Sequence, residues 1–88
     1  MNYAVESMKN LVGLPVYTNK GIFVGNVYDV ILEMDTGDIT GILIKETNEA
    51  LVEDGFPIAI PYIWVKAVGD AVLLNNFPPS VKRKLIPT

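Results

Sequence analysis

The sequence predicts an all-β fold, a small twisted β-barrel, and two features of residues 21–44 carry that prediction. Val30, Leu32 and Met34 alternate with Ile31, Glu33 and Asp35, and a period of two sends alternate side chains to opposite faces of a strand. Ile42 and Ile44 continue an apolar face further along. Between the two stretches stands Asp35-Thr36-Gly37-Asp38, which suits a tight connection with a bulge, Gly37 being able to take positive φ. Residues 21–44 therefore read as two long strands joined by a turn.

The remaining elements follow from local signals. Residues 1–10 are a lead-in, with Val5 and Met8 at helical spacing before Leu11 and Val12, suited to a short helix or an extended segment. Leu14-Pro15-Val16-Tyr17-Thr18 is a first strand, with Pro15 near its start where a missing N–H does least harm. Asn19-Lys20-Gly21 turns the chain into the second strand. Gly25 interrupts that strand and marks a bulge or a sharp bend. Gly41 is expected to do the same on the third strand, opposite or near Gly25.

Residues 46–55 are rich in acids and turn formers and read as a mobile excursion ending at Gly55. Leu51 and Val52, its large apolar residues, either fold back on the barrel or meet a partner. Pro57-Ile58-Ala59-Ile60-Pro61 is a short edge strand, since its prolines remove donors from one side. Tyr62-Ile63-Trp64-Val65 breaks the alternation as a single helical turn, Gly69-Asp70 turns the chain, and Ala71-Val72-Leu73-Leu74 is the last strand. Ser80 is placed to cap a short C-terminal helix running through Lys84 or Leu85, with Pro87 as its stop.

Composition narrows the function classes. Eighty-eight residues make one domain. With no cysteine there is neither a disulfide framework nor a thiolate metal site, which suits a reducing cytoplasm. Having no histidine removes the commonest general base and the commonest metal ligand together. Half of the residues are hydrophobic, a large share for so small a chain, so some apolar surface is expected to meet a second copy or a partner. No apolar run approaches the roughly 20 residues of a membrane span, and residues 1–10 hold Glu6 and no apolar core, so a cytoplasmic location without membrane insertion is expected. Residues 1–77 carry four basic and ten acidic side chains, whereas residues 78–88 hold Lys82, Arg83 and Lys84 and no acid. An acidic body is a poor ligand for nucleic acid, and the basic tail reads as a solvated terminus.

No residue set reads as catalytic. Tyr3, Tyr17, Ser7 and Ser80 have no neighbouring base, and the glycines stand singly rather than in a phosphate-binding loop. Asp29, Glu33 and Asp35 share a strand face that could hold a cation, but no calcium-loop spacing is present and a solvated acidic face is the preferred reading. Neither a metal nor a cofactor is expected. Asp29 is assigned a structural role, accepting backbone N–H bonds at the corner near Gly25, alongside the turn residues Gly25, Gly37, Gly41, Gly69 and Asp70. Trp64 reads as a core plug and Tyr62 as a half-buried interface residue. The candidate partner contacts are Tyr62, Leu51, Val52, Ile31 and Leu43.

The order Leu11-Val12-Gly13-Leu14-Pro15-Val16, Val24-Gly25-Asn26-Val27-Tyr28-Asp29-Val30, Asp35-Thr36-Gly37-Asp38-Ile39-Thr40-Gly41 and Ile60-Pro61-Tyr62-Ile63-Trp64-Val65-Lys66-Ala67-Val68-Gly69-Asp70 resembles the PRC-barrel domain. The resemblance implies a six-stranded half-open barrel over residues 11–77, with a basic tail over 78–88, and no catalytic residues. The same family supplies a domain of the photosynthetic reaction-centre H subunit and of a bacterial ribosome-maturation factor. Residues 60–75 are similar to stand-alone archaeal proteins of cell division, which act as adaptors. The expectation is thus a non-enzymatic protein-interaction adaptor, a homodimer with a second partner from cell division. The alternative is an accessory factor in RNA processing or ribosome assembly.

Overall fold

Short apolar strands separated by turn formers are what the chain builds, and a computed structural model describes them over residues 11–82. The strands are β1 (Pro15–Tyr17), β2 (Phe23–Asn26), β3 (Asp29–Leu32), β4 (Ile39–Ile44), β5 (Ile58–Pro61), β6 (Val65–Val68) and β7 (Val72–Leu74). Two 3-10 turns, Glu53–Gly55 and Tyr62–Trp64, complete the described elements, and the second is the helical turn expected after Pro61. The all-β expectation holds. The expected count of six strands is corrected: among the described residues seven strands form a four-stranded sheet in the order β2-β1-β7-β6 and a three-stranded sheet in the order β3-β4-β5, with no closed barrel.

The additional strand arises because the expected long strand before the Asp35–Gly37 region is two strands. At the break the backbone changes partners. The Val27 N–H donates to the Leu14 carbonyl at 2.9 Å and the Val27 carbonyl accepts from Gly13 N–H at 2.8 Å, both beside β1. One residue later the Tyr28 N–H donates to the Leu43 carbonyl at 2.8 Å, on β4. The chain thus crosses from one sheet to the other between Val27 and Tyr28.

Gly25 makes the crossing possible. Val16 pairs with Gly25 and Tyr17 with Phe23, so Val24 is the extra residue of a bulge. Gly25 has φ +156°, and a Cβ there would stand 2.5 Å from the Glu46 carbonyl oxygen and 2.6 Å from Ile44 Cγ2. Gly41 does not face it. Gly41 lies in the other sheet between Ile31 and Pro61, where its missing side chain admits the Ile60 carbonyl and the Ile31 side chain.

The β3–β4 turn has Gly37 at φ +75°, with Gly37 N–H on the Glu33 carbonyl and Glu33 N–H on the Asp38 carbonyl, each at 2.8 Å. A register shift between Ile31 and Leu32 provides the expected bulge. That shift also ends the alternation early. Val30 and Leu32 are partly buried as expected, but Met34 sits in the turn and is 94% exposed.

One core lies between the sheets. Val16, Val24, Val72 and Leu74 enter it from the four-stranded sheet, Ile42, Ile44 and Ile60 from the other, and Leu11, Val27, Leu51 and Val52 close it. Burying aliphatic side chains of this kind contributes about 1.5–3 kcal/mol each. Leu51 and Val52, at 7% and 0% exposure, take the fold-back alternative, so as partner contacts they are corrected to core residues.

Residues 46–55 correspondingly do not project as a free excursion. Thr47 bridges Gly25, Asn48 N–H donates to the Val24 carbonyl at 2.8 Å, and Asn48 Nδ2 donates to the Phe23 carbonyl at 2.7 Å. Val52 pairs with Val81 through Glu53 N–H on the Val81 carbonyl and Val81 N–H on the Leu51 carbonyl. At Val81 the chain is therefore extended where a helix after Ser80 was expected. The rest of that helix and most of the N-terminal lead-in, residues 83–88 and 1–10, fall outside the described residues.

Candidate functional site

Strand alternation decides which side chains remain outside. In the three-stranded sheet Val30, Ile42 and Ile60 stand in one row and face the core, so the neighbouring rows face outward. These rows are Asp29–Leu43–Ala59 and Ile31–Gly41–Pro61. Ile31, 41% exposed, lies over Gly41, since a Cβ at that glycine would come within 3.3 Å of Ile31 Cδ1. The result is an outward apolar patch of Ile31, Leu43, Ala59 and Pro61. The 3-10 turn that follows Pro61 adds Ile63, 84% exposed.

Charge around this patch is one-sided. Asp29 stands on the outer strand, and Glu33, Asp35 and Asp38 occupy the turn at one end, all exposed. Asp29 Oδ1 accepts the Val30 N–H at 2.8 Å, a structural bond of the expected type but to the next residue of the strand. Glu33 Oε1 accepts the Asp35 N–H at 3.3 Å and Thr36 Oγ1 accepts the Asp38 N–H at 3.2 Å, so the turn is closed by its own side chains. The expected sharing of one strand face by Asp29, Glu33 and Asp35 fails, because β3 ends at Leu32. Among the described residues no group of three or more potential metal ligands is gathered. At the opposite end Lys45 Nζ lies 5.2 Å from the Tyr28 ring centroid, a cation–π contact, beside an open groove that Phe23, Gly25, Asn26, Thr47 and Asn48 also line.

The four-stranded sheet has an outward row of its own, Phe23–Tyr17–Leu73–Ala67, running across all its strands. The Tyr17 and Phe23 rings are 5.8 Å apart. Phe23 and Leu73 escaped the sequence reading, although their alternation with Val24, Val72 and Leu74 held the signal. Trp64 is half-buried against the core and meets Phe77 edge-on at 6.4 Å, and Tyr62 is likewise half-buried against the core.

The strand edges are less available than the faces. The outer side of β2 is covered by Thr47 and Asn48. Strand β5 is bounded by Pro57 and Pro61, β3 carries a bulge with Asp29, and β6 carries Lys66 with a register shift. Short length, proline, charge and bulges all discourage strand addition. Among the described residues no helix is long and apolar enough to cross a membrane.

Of the sequence-predicted partner residues, Ile31 and Leu43 come together on one outward face, Tyr62 lies half-buried near it in sequence, and Leu51 and Val52 are in the core. The model of the PRC-barrel domain family matches residues 5–79 of the chain. No curated protein matches it.

Proposed function

Since the chain belongs to the PRC-barrel domain family, matched over residues 5–79, we propose that it is a non-catalytic protein-interaction adaptor. The observation that carries this reading is the pair of outward apolar faces on opposite sides of one core. Outward apolar surface of this kind is stabilised by being covered. Two such faces allow two simultaneous contacts, as an adaptor requires.

The aromatic row Phe23–Tyr17–Leu73–Ala67 is the self-association face, giving a homodimer, and the Ile31–Leu43 face receives the second protein. The similarity of residues 60–75 to archaeal cell-division adaptors makes a division component the partner of choice. The acidic border of the Ile31–Leu43 face opposes the RNA-linked alternative, because phosphate repels carboxylate.

Light scattering coupled to size exclusion tests the dimer. The wild type should elute as a dimer and Leu73→Asp as a folded monomer; a wild-type monomer at every concentration overturns the dimer. Capture from lysate tests the second face, comparing wild type with Leu43→Asp. Proteins held by the first and lost by the second support the reading, and identical capture by both removes it.

A further inference from the structure

We infer that the Ile31–Leu43 face takes a cationic apolar segment of another protein in preference to a second copy of this chain. The inference rests on the protein-interaction reading above and adds the chemistry of the partner. The patch of Ile31, Leu43, Ala59 and Pro61 is bordered along β3 and its turn by Asp29, Glu33, Asp35 and Asp38. Among the described residues Lys45 lies at the far end of the sheet over the Tyr28 ring, with Glu46 next to it in sequence. An isologous contact through this face would set Asp29, Glu33, Asp35 and Asp38 of both copies against no described cation of this sheet but the two Lys45 side chains, leaving a large excess of negative charge at one interface. Like charges brought together in this way are strongly unfavourable.

A partner with aliphatic side chains for the patch and Lys or Arg for its border gains at both points. The paired part of the face is four residues long, about 14 Å, which is the reach of a short extended segment. Phosphate-bearing partners are excluded by the same border. The Ile31 side chain lies over Gly41, so such a segment crossing β4 meets aliphatic surface there rather than bare backbone.

The test selects a random peptide library displayed on phage against the immobilised full chain, counter-selected on the Ile31→Asp/Leu43→Asp double variant. The expected result is a face-dependent consensus that pairs Lys or Arg with aliphatic residues. Synthetic peptide of that consensus should bind the Glu33→Gln/Asp35→Asn/Asp38→Asn variant about tenfold more weakly, each exposed ion pair contributing modestly, and should weaken further in high salt. That variant keeps every acceptor of the turn and should retain the wild-type melting temperature. A face-dependent consensus that lacks Lys and Arg, or one indifferent to the neutralised turn, overturns the inference while leaving the interaction reading in place. If no consensus depends on the face, the interaction reading falls with it.

Discussion

Gly25 is the residue on which the crossing between sheets depends. Its φ of +156° is open to glycine and strained for other residues, and an added Cβ would meet the Glu46 carbonyl and Ile44 Cγ2 at 2.5 and 2.6 Å. Gly25→Ala should therefore lose about 3 kcal/mol or more in urea denaturation. Gly69→Ala is the control: nothing lies within 4 Å and its φ is ordinary, so its stability should stay within about 0.5 kcal/mol of wild type. Thr18 is a second sensitive position. It is the one buried polar residue among those described, and its Oγ1 accepts the Lys20 and Ile22 N–H groups at 3.1 and 3.2 Å. Thr18→Val keeps the shape but strands both donors, and should cost about 1–3 kcal/mol by the same measurement. The glycine at the corner was legible from the alternation it breaks. Its neighbours were not, because Glu46 and Ile44 lie about twenty residues further along the chain.

Among the elements, residues 46–55 show how a polar stretch becomes part of the fold. Acids and turn formers mark this segment as a loop, which it is, but its anchoring comes from Asn48 and from Val52 beneath it. Asn48 Nδ2 holds the Phe23 carbonyl and its Oδ1 accepts the Ala50 N–H at 2.9 Å. Asn48→Ala should cost about 1–2 kcal/mol and speed amide hydrogen exchange at residues 47–55 ahead of the core strands. Unchanged exchange there would show that the backbone bonds to Val24 and Val81 and the burial of Leu51 and Val52 hold the loop without the Asn48 side chain. Strands β1, β4, β5 and β7 were readable because each is a short apolar run bounded by turn formers or proline. The β2–β3 break was not, since Val27 and Tyr28 continue a strand-like composition through the change of partner.

For the whole molecule the decisive fact is that the two sheets share one core. Residues from both pack in a single cluster, so neither sheet has a separate hydrophobic interior to sustain it. Unfolding should be one cooperative transition, with Trp64 fluorescence and far-ultraviolet circular dichroism giving the same midpoint. Two separated transitions would show that the sheets are independent units. The same arrangement puts the two outward faces on opposite sides, which is why the dimer and partner contacts proposed above can be tested by separate substitutions.

By itself the sequence determined the all-β class, most strand positions, the turn at Gly37, the corner at Gly25 and the family. These follow from local chemistry: side-chain alternation, positive φ at glycine, and missing donors at proline. It also named Ile31 and Leu43 among its candidate contacts, and the pairing of β3 with β4 places both on one outward face. Tertiary structure alone decided that the described residues form seven strands in two sheets, that Leu51 and Val52 belong inside, and that Phe23, Tyr17, Leu73 and Ala67 align in one row. Each of these depends on which distant segments share a register. Register is a property of paired strands, and local composition leaves it open until the core is assembled.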